Sequence, residues 1–384
     1  MSVGNLGVPA GSQEGVYVSP ETVFGTFVKP TASHGLRVKK SVFTCTQERV
    51  NRTDKKLSRS INERITRRKK AEWSLTLYAC PSGSAGVAAD DDQLIECVLG
   101  AKATSASTHV IYTPSLTYDT SVSLHRICGD FAQSLPGSIV TKMEVRVKGE
   151  DEVEIEYSGE SADYIHTQST VTSASAASGA SAITVADAHD YLAANSIIKL
   201  GTNDNGGAGY TVASVSGTTV NLGSALTGNI ALAATVVPFF ATSTTHGVPL
   251  GCFPGTIKLD TVEHKFRELT ISIDNKANIR RDTYGSSSAD GYTATDFREI
   301  TINGTTHARA AYGKWIGKSQ QFDDVAMEVT LGDTAGARII ITMPYCEFDV
   351  IPIEIPETDL CTLTFKGLAK ASVTGEDEIS IKYN

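Results

Sequence analysis

The sequence predicts an all-β protein. Thr, Ser and aliphatic residues are abundant, aromatic content is modest, and sustained helical patterns are nearly absent. Short segments of alternating polar and apolar residues recur between turns rich in Gly, Pro and Asn, which is typical of half-buried strands. With 384 residues, the chain is long enough for two or three domains with hydrophobic cores.

The clearest strand pattern flanks a long polar segment. One strand is predicted over 36–45 and the next over 70–78, where apolar residues take every second position from Ala71 to Leu77. The segment between them, 48–69, is mostly polar and far longer than a hairpin turn requires. A polar segment of this length is either disordered or built to contact another molecule. We call it the basic arm.

Charge favours the second of these interpretations. Residues 36–70 hold thirteen Lys and Arg against three acidic residues, a net charge of +10, whereas the whole chain carries −9 and the remainder therefore −19. Three roles stay open: a solvated loop, a nucleic-acid contact, or self-assembly in which the arm of one copy docks on the acidic body of the next. We favour self-assembly. The candidate contact residues are Arg49, Arg52, Lys55, Lys56, Arg59, Arg64, Arg67, Arg68 and Lys69.

Composition divides the chain into four parts. Residues 1–35 are rich in Gly and Pro and predict an N-terminal arm, and 36–166 form a first domain. Residues 167–240 carry few charges and several short strands, which predicts an inserted small β-barrel-like module. Residues 241–384 return to the earlier style, as a second domain of the same type or as the completion of the first.

Two local features matter for the interpretation. A short helix is predicted over 90–100, because Asp residues precede an apolar i, i+4 pattern and Gly100 ends it. A hairpin over 138–158 places Glu144, Glu154 and Glu156 together on one polar face.

No residue pattern points to catalysis, a metal or a cofactor. The string from Gly313 to Ser319 has three residues between its glycines where a phosphate loop has four, so a β-turn is predicted there. His and Cys residues are scattered, without ligand spacing or a CxxC pair. We therefore expect no enzyme activity and no cofactor. The longest apolar run, 230–240, is too short for a membrane span, and no signal peptide is recognisable at the start.

Several features together resemble one protein family, the major tail tube proteins of long, non-contractile-tailed bacteriophages. With 167–240 set aside, the resemblance covers most of 15–160 and 250–384. It rests on the long-armed hairpin, the helix ending at Leu99-Gly100, and three strings, which are Glu21-Thr22-Val23-Phe24-Gly25-Thr26, Pro136-Gly137-Ser138 and Leu269-Thr270-Ile271-Ser272-Ile273-Asp274-Asn275.

The resemblance implies a structural virion protein. In that family, β-sandwich or small-barrel domains with one flanking helix assemble into rings, inner sheets of six domains close a β-barrel channel, and the hairpin arm reaches the next ring. The chain would then bind itself and other tail proteins in the virion tail, after synthesis in the host cytoplasm. DNA would pass to the host without specific binding, and the three glutamates could line the lumen.

The ring count depends on the second domain. If both 36–166 and 241–384 are tube-type domains, three chains supply six wall segments, whereas a split domain requires six chains. The second polar excursion, 275–296, slightly favours the pseudo-sixfold trimer over the hexamer. Two other functions remain open, a surface-binding adhesin with 167–240 as a carbohydrate module and, less favoured, a cell-wall hydrolase.

Overall fold

The computed structural model describes residues 14–52, 64–117, 120–188, 191–243, 247–251, 254–282, 289, 291–355 and 360–384. The all-β class is confirmed, because strands hold 53% of the residues and helical segments 6%. The described strands form a 19-stranded, a six-stranded and a two-stranded sheet.

The first half of the chain contributes helix α1 and strands β1 to β10. Val16, Tyr17 and Val18 in the first strand are buried, so these residues of the predicted N-terminal arm belong to the sheet. Residues 1–13 of that arm lie outside the described residues. The elements are β1 (Glu14–Pro20), β2 (Gly35–Leu36), β3 (Lys40–Asn51), β4 (Arg64–Tyr78), α1 (Asp92–Leu99), β5 (Gly100–Ser105), β6 (His109–Pro114), β7 (Val122–Cys128), β8 (Phe131–Lys148), β9 (Glu154–Ser161) and β10 (Ile165–Gln168), with a 3-10 turn at Ala32–His34.

The region predicted as an insert folds around a core of its own. It contacts the body through Phe240, whose ring centroid lies 5.3 Å from that of Tyr17, and through Lys29, whose Nζ donates to the Gly209 carbonyl at 2.8 Å. Its six strands make the six-stranded sheet. They are β11 (Thr170–Val171), β12 (Ala182–Thr184), β13 (Ile197–Leu200), β14 (Tyr210–Ser216), β15 (Thr219–Leu222) and β16 (Thr235–Pro238).

The second half contributes helix α2 and the remaining strands. These are β17 (Gly255–Leu259), β18 (Val262–His264), β19 (Glu268–Asp274), β20 (Ala277–Arg280), β21 (Gly291–Ala294), β22 (Glu299–His307), α2 (Gly313–Gln321), β23 (Val325–Leu331), β24 (Ile339–Phe348), β25 (Ile353–Glu354), β26 (Thr362–Lys370) and β27 (Ser380–Tyr383), with a 3-10 turn at Ala310–Tyr312. β20 and β21 form the two-stranded sheet inside the second polar excursion.

Both halves use the same strand pairings. The pairs β1–β2, β1–β7, β7–β8, β8–β9, β9–β4, β4–β3 and β8–β10 recur as β17–β18, β17–β23, β23–β24, β24–β26, β26–β22, β22–β19 and β24–β27. Helix α1 follows β4 as α2 follows β22. The chain therefore contains a duplicated topology.

Small irregularities recur as well. The register shift of β7 against β8 falls between Val122 and Leu124, and that of β23 against β24 falls between Val325 and Met327. The N–H of Lys39 donates to the Thr76 carbonyl at 2.8 Å, and the N–H of Arg267 donates to the Thr305 carbonyl at the same distance. These details fix which residues of the halves are equivalent.

The halves join edge to edge. β8 pairs with β19 over 142–148 and 268–274, which makes one continuous sheet in the order β3-β4-β9-β8-β19-β22-β26-β25. We call it the wall sheet. We call the remaining strands of the 19-stranded sheet the opposing sheet. It also joins the halves, because the terminal strand β27 pairs with both β24 and β6. A single hydrophobic core extends through both.

Helix α1 confirms the prediction made for 90–100. It begins after Asp91, and Gly100 ends it in the left-handed conformation at φ 90°. The four apolar residues expected to face the core are buried, namely Leu94, Ile95, Val98 and Leu99.

Helix α2 corrects the β-turn predicted around Gly313 and Lys318. Gly313 and Gly317 give this segment a poor intrinsic helix propensity. Tertiary packing outweighs that cost, because the Trp315 side chain is 2% exposed and lies in the shared core. Ser319 is also buried, and its hydroxyl accepts from the Ile351 N–H at 3.1 Å.

Candidate assembly interface

The basic arm is a paired ribbon for much of its described length. β3 and β4 pair from Lys40 and Thr76 out to Asn51 and Arg64, so both strands run further than predicted. β9 covers β4 only over 71–78. The outer part of the hairpin therefore projects beyond the wall sheet, with its residues largely exposed.

The candidate arm residues divide into three groups. Lys55, Lys56 and Arg59 lie outside the described residues. Arg49, Arg52, Arg64, Arg67 and Lys69 are exposed on the ribbon, where Arg67 pairs with Glu48 at 2.7 Å. Arg68 is half-buried, and its Nη1 donates to the Arg281 carbonyl at 2.6 Å. Most of the described arm charge thus faces solvent.

Arg281 ties the second polar excursion to the base of the arm. Its guanidinium pairs with Glu160 of β9 at 2.6 Å and donates to the Ser161 carbonyl at 2.7 Å. Since Arg68 contacts the Arg281 backbone, both excursions leave the wall sheet on the same side. The position of the arm relative to the body is fixed at its base by these contacts.

The three glutamates of the predicted acidic face do lie together. Glu144 stands opposite Glu156 in the β8–β9 register, and Arg146 reaches both carboxylates, at 2.7 Å and 2.8 Å. Glu154 forms an ion pair with Lys39. This face of the wall sheet therefore carries interleaved charges of both signs.

Basic neighbours determine the ionisation of Glu144. Partial burial alone would raise its pKa, but hydrogen bonds from Arg146 and Lys142 outweigh burial and hold the pKa below its usual value. The Arg146 pKa is raised, mainly by the hydrogen bond to Glu144. Both groups stay charged at neutral pH.

The wall sheet ends in two edges that the described residues leave uncovered. On one side β3 pairs with β4 alone in the described part of the chain. On the other side β25 pairs only with β26 among the described strands. Val350, Ile353 and Ile355 are exposed along this second edge, although apolar residues at a sheet edge promote association.

Sequence reasoning missed the second edge. The sequence signal for it is Ile351-Pro352-Ile353-Glu354-Ile355-Pro356. Isoleucines alternate there as in a strand, and prolines within a strand pattern indicate an edge strand. We call 350–355 the closing edge.

Among the described residues, no group of three or more His, Cys, Asp or Glu is placed to hold a metal ion. Residues 203–206 form a turn in which Asn203 Oδ1 accepts from the Tyr210 and Thr227 hydroxyls, each at 2.8 Å. Over the same residues, no helix is long and apolar enough to cross a membrane.

No protein-family model matches the sequence, and no curated protein matches it either.

Proposed function

We propose that the protein is a structural component of a phage tail tube, in which three chains close a ring and the rings stack. The observation that carries this proposal is the β8–β19 junction, where two halves of equal topology join edge to edge into one sheet. Each chain is thus already a pair of joined wall segments with an open edge at either end. The proposal that the ring belongs to a phage tail tube through which DNA passes rests on the resemblance of the sequence to tail tube proteins.

The duplication favours three chains over six. A ring of six wall segments needs three chains when each chain carries two segments in the same sheet. Such a head-to-tail contact joins two different surfaces, one from each copy. It forms a closed ring only if a whole number of copies completes one full turn. Closure also removes the open edges, which would otherwise invite uncontrolled association.

Stacking of rings is the role proposed for the basic arm. It projects past the wall sheet and exposes several Arg and Lys side chains, while the rest of the chain is strongly acidic. Complementary charge steers and registers such contacts. Other tail proteins would meet the two ends of the stack in the virion.

The wall sheet would face the channel. Its outer face interleaves Glu144 and Glu156 with Arg146, so paired charges leave little attraction for a passing phosphate backbone. DNA would then move through without specific binding.

Electron microscopy of the purified protein tests the proposal. We expect hollow rings or tubes whose class averages show six wall densities with threefold symmetry, and light scattering that gives a ring mass of three chains. A protein that stays monomeric at every concentration and salt would contradict the proposal. Six identical subunits per ring would contradict the trimer.

A further inference from the structure

We infer that the ring closes by antiparallel pairing between the closing edge of one copy and β3 of the next, in the register of the internal β8–β19 junction. The inference rests on the proposed self-assembly and goes further by naming both strands and their register. Its partner is a second copy of this chain.

The duplication defines the equivalent positions. β19 corresponds to β3, because Arg267 and Lys39 make the same hydrogen bond to β22 and β4. The outer part of β8 corresponds to the closing edge, because β8 and the β24–β25 segment pair with equivalent strands, β9 and β26. Each segment also contains one residue more than the strand it pairs with. The extra residue is Thr141 in β8 and lies within 349–352 in the β24–β25 segment. The two open edges are thus the unpaired equivalents of the two strands joined at the internal junction.

The closing edge lacks a neighbouring strand of the kind that buries the equivalent residues of β8. Val145 in β8 is 3% exposed, because β19 covers it. Its equivalent, Ile353, is 52% exposed, and Ile355 beyond it is 77% exposed. A neighbouring strand would bury both side chains as β19 buries β8.

Applying the register of the β8–β19 junction to the closing edge and β3 predicts which residues stand opposite each other between copies. At the junction Val145 stands opposite Ile271, and Arg146 opposite Thr270. The equivalent pairs between copies are Ile353 opposite Phe43, and Glu354 opposite Val42. Two apolar side chains then meet on the core side of the seam.

The prolines of the closing edge agree with this register. Gly149 N–H donates to the Arg267 carbonyl at 2.8 Å, and Asn275 N–H donates to the Thr141 carbonyl at 2.9 Å. In β8 the odd-numbered residues thus turn their backbone groups towards β19. By equivalence Ile353 and Ile355 turn theirs towards the next copy, whereas the Ile351 N–H already donates to the Ser319 hydroxyl. Pro352 precedes the first of these two residues, so its missing N–H removes no bond of the seam.

The charges of the two edges and the hydrogen-bonding capacity of the Ser41 carbonyl also agree with this pairing. Asp349 and Glu354 give the described residues 349–355 two acidic side chains and no basic one, whereas Lys40 begins β3. The Ser41 carbonyl already accepts from Arg126 at 3.4 Å, but its second lone pair leaves room for a bond from the neighbour.

Disulfide cross-linking tests the register in the assembled protein. The parent is Cys45→Ser, which removes the exposed native thiol of β3. Val42→Cys with Glu354→Cys should yield covalent species of two and three copies on oxidation, because directly opposed non-hydrogen-bonded residues lie at about 4.5 Å between Cα atoms, within disulfide range.

Two matched variants control the experiment. Arg146→Cys with Thr270→Cys is the equivalent pair of the internal junction and should cross-link within one chain. Thr46→Cys with Glu354→Cys keeps the same face but shifts the register by four residues, and should give little covalent oligomer. Equal cross-linking of the shifted pair overturns the inferred register.

A substitution separates the seam from the proposed function. Ile353→Asp should abolish rings in light scattering and leave thermal unfolding unchanged, whereas Val373→Asp, at a fully exposed loop position, should leave rings intact. If the parent forms three-chain rings but neither cross-linking nor Ile353→Asp behaves as expected, the seam is wrong and the proposed function stands. If the parent never associates, both are wrong.

Discussion

Gly159 and Gly367 occupy the same position in the two halves, each pressed against a backbone carbonyl of the neighbouring strand. A Cβ built on Gly159 would lie 1.8 Å from the Ile139 carbonyl oxygen, and one on Gly367 would lie 2.4 Å from that of Glu347. Both glycines stand beside the point where a long strand, β8 or β24, crosses from the wall sheet to the opposing sheet. Close crossing of two backbones leaves no room for a side chain.

Alanine at either glycine should therefore destabilise the fold. We expect Gly159→Ala and Gly367→Ala each to lower the free energy of unfolding by about 2–4 kcal/mol, in line with overpacking of a buried site. Chemical denaturation measures this. Gly251→Ala is the control, because no atom lies within 4 Å of its added Cβ. Equal stability of all three variants would contradict the duplication at this position.

The sequence predicted those parts of the fold that local patterns encode. Helix α1 has an acidic start, an apolar i, i+4 pattern and a glycine stop, and the structure confirms it. β4 alternates cleanly from Ala71 to Leu77, and those apolar residues are buried. In each case one short window carries the complete signal.

Features set by tertiary contacts escaped prediction. Helix α2 contains two glycines and is stabilised by burial of Trp315, which no local pattern reveals. The strands of the arm run past 45 and below 70 because each pairs with the other. The β8–β19 junction brings together residues more than a hundred positions apart, so its existence could not be read from either strand.

Removal of the inserted module should leave ring formation intact. Its first and last strands pair side by side, with Val171 opposite Thr235, so a short Gly/Ser turn can replace 172–234. We expect rings of normal diameter in negative-stain images. The melting temperature should fall by a few degrees, because Lys29 loses its hydrogen bond to Gly209. A deletion variant that folds but forms no rings would assign the module to the wall.

Charge reversal on the arm should weaken stacking without unfolding the protein. Arg64, Arg67 and Lys69 are exposed, so changing all three to Glu should affect stability by under about 1 kcal/mol. Tubes should become shorter or separate into single rings. Higher salt should act on the unmodified protein in the same direction, because exposed charges are screened over about 8 Å at physiological ionic strength.

A control variant distinguishes arm contacts from net charge. It reverses an equal number of surface lysines in the second half, namely Lys258, Lys265 and Lys314. Lys258 and Lys265 form surface ion pairs with Glu328 and Glu263, and such pairs contribute little to stability. Lys314 is exposed, and tube length should stay normal. Tubes that shorten equally in both variants would show that net charge, not the arm, controls stacking.

Asp91 should make folding stability depend on pH. Its carboxylate is fully buried at the start of α1 and accepts from the Tyr157 hydroxyl at 2.8 Å. Burial raises its pKa from 3.8 to about 6, although the Tyr157 hydrogen bond opposes the shift. Between these two values the folded state binds more protons at Asp91 than the unfolded state. The contribution of Asp91 is therefore most favourable below about pH 4 and is lost as the pH rises through 6, by about 3 kcal/mol.

Comparison of Asp91→Asn with the unmodified protein isolates this effect. Other groups titrate in the same range; buried His125, for example, has its pKa lowered to about 3 by desolvation and destabilises the fold in acid. The amide oxygen of Asn can still accept from Tyr157 but cannot ionise. The unfolding free energy of Asp91→Asn, relative to the unmodified protein, should therefore rise by about 2–3 kcal/mol between pH 4 and pH 7.5. Asp90→Asn, at the partly buried neighbouring position, is the matched control for removal of one carboxylate at the start of α1. An equal difference at both pH values would mean that Asp91 stays charged in the folded protein, which would require a cation or water beside it.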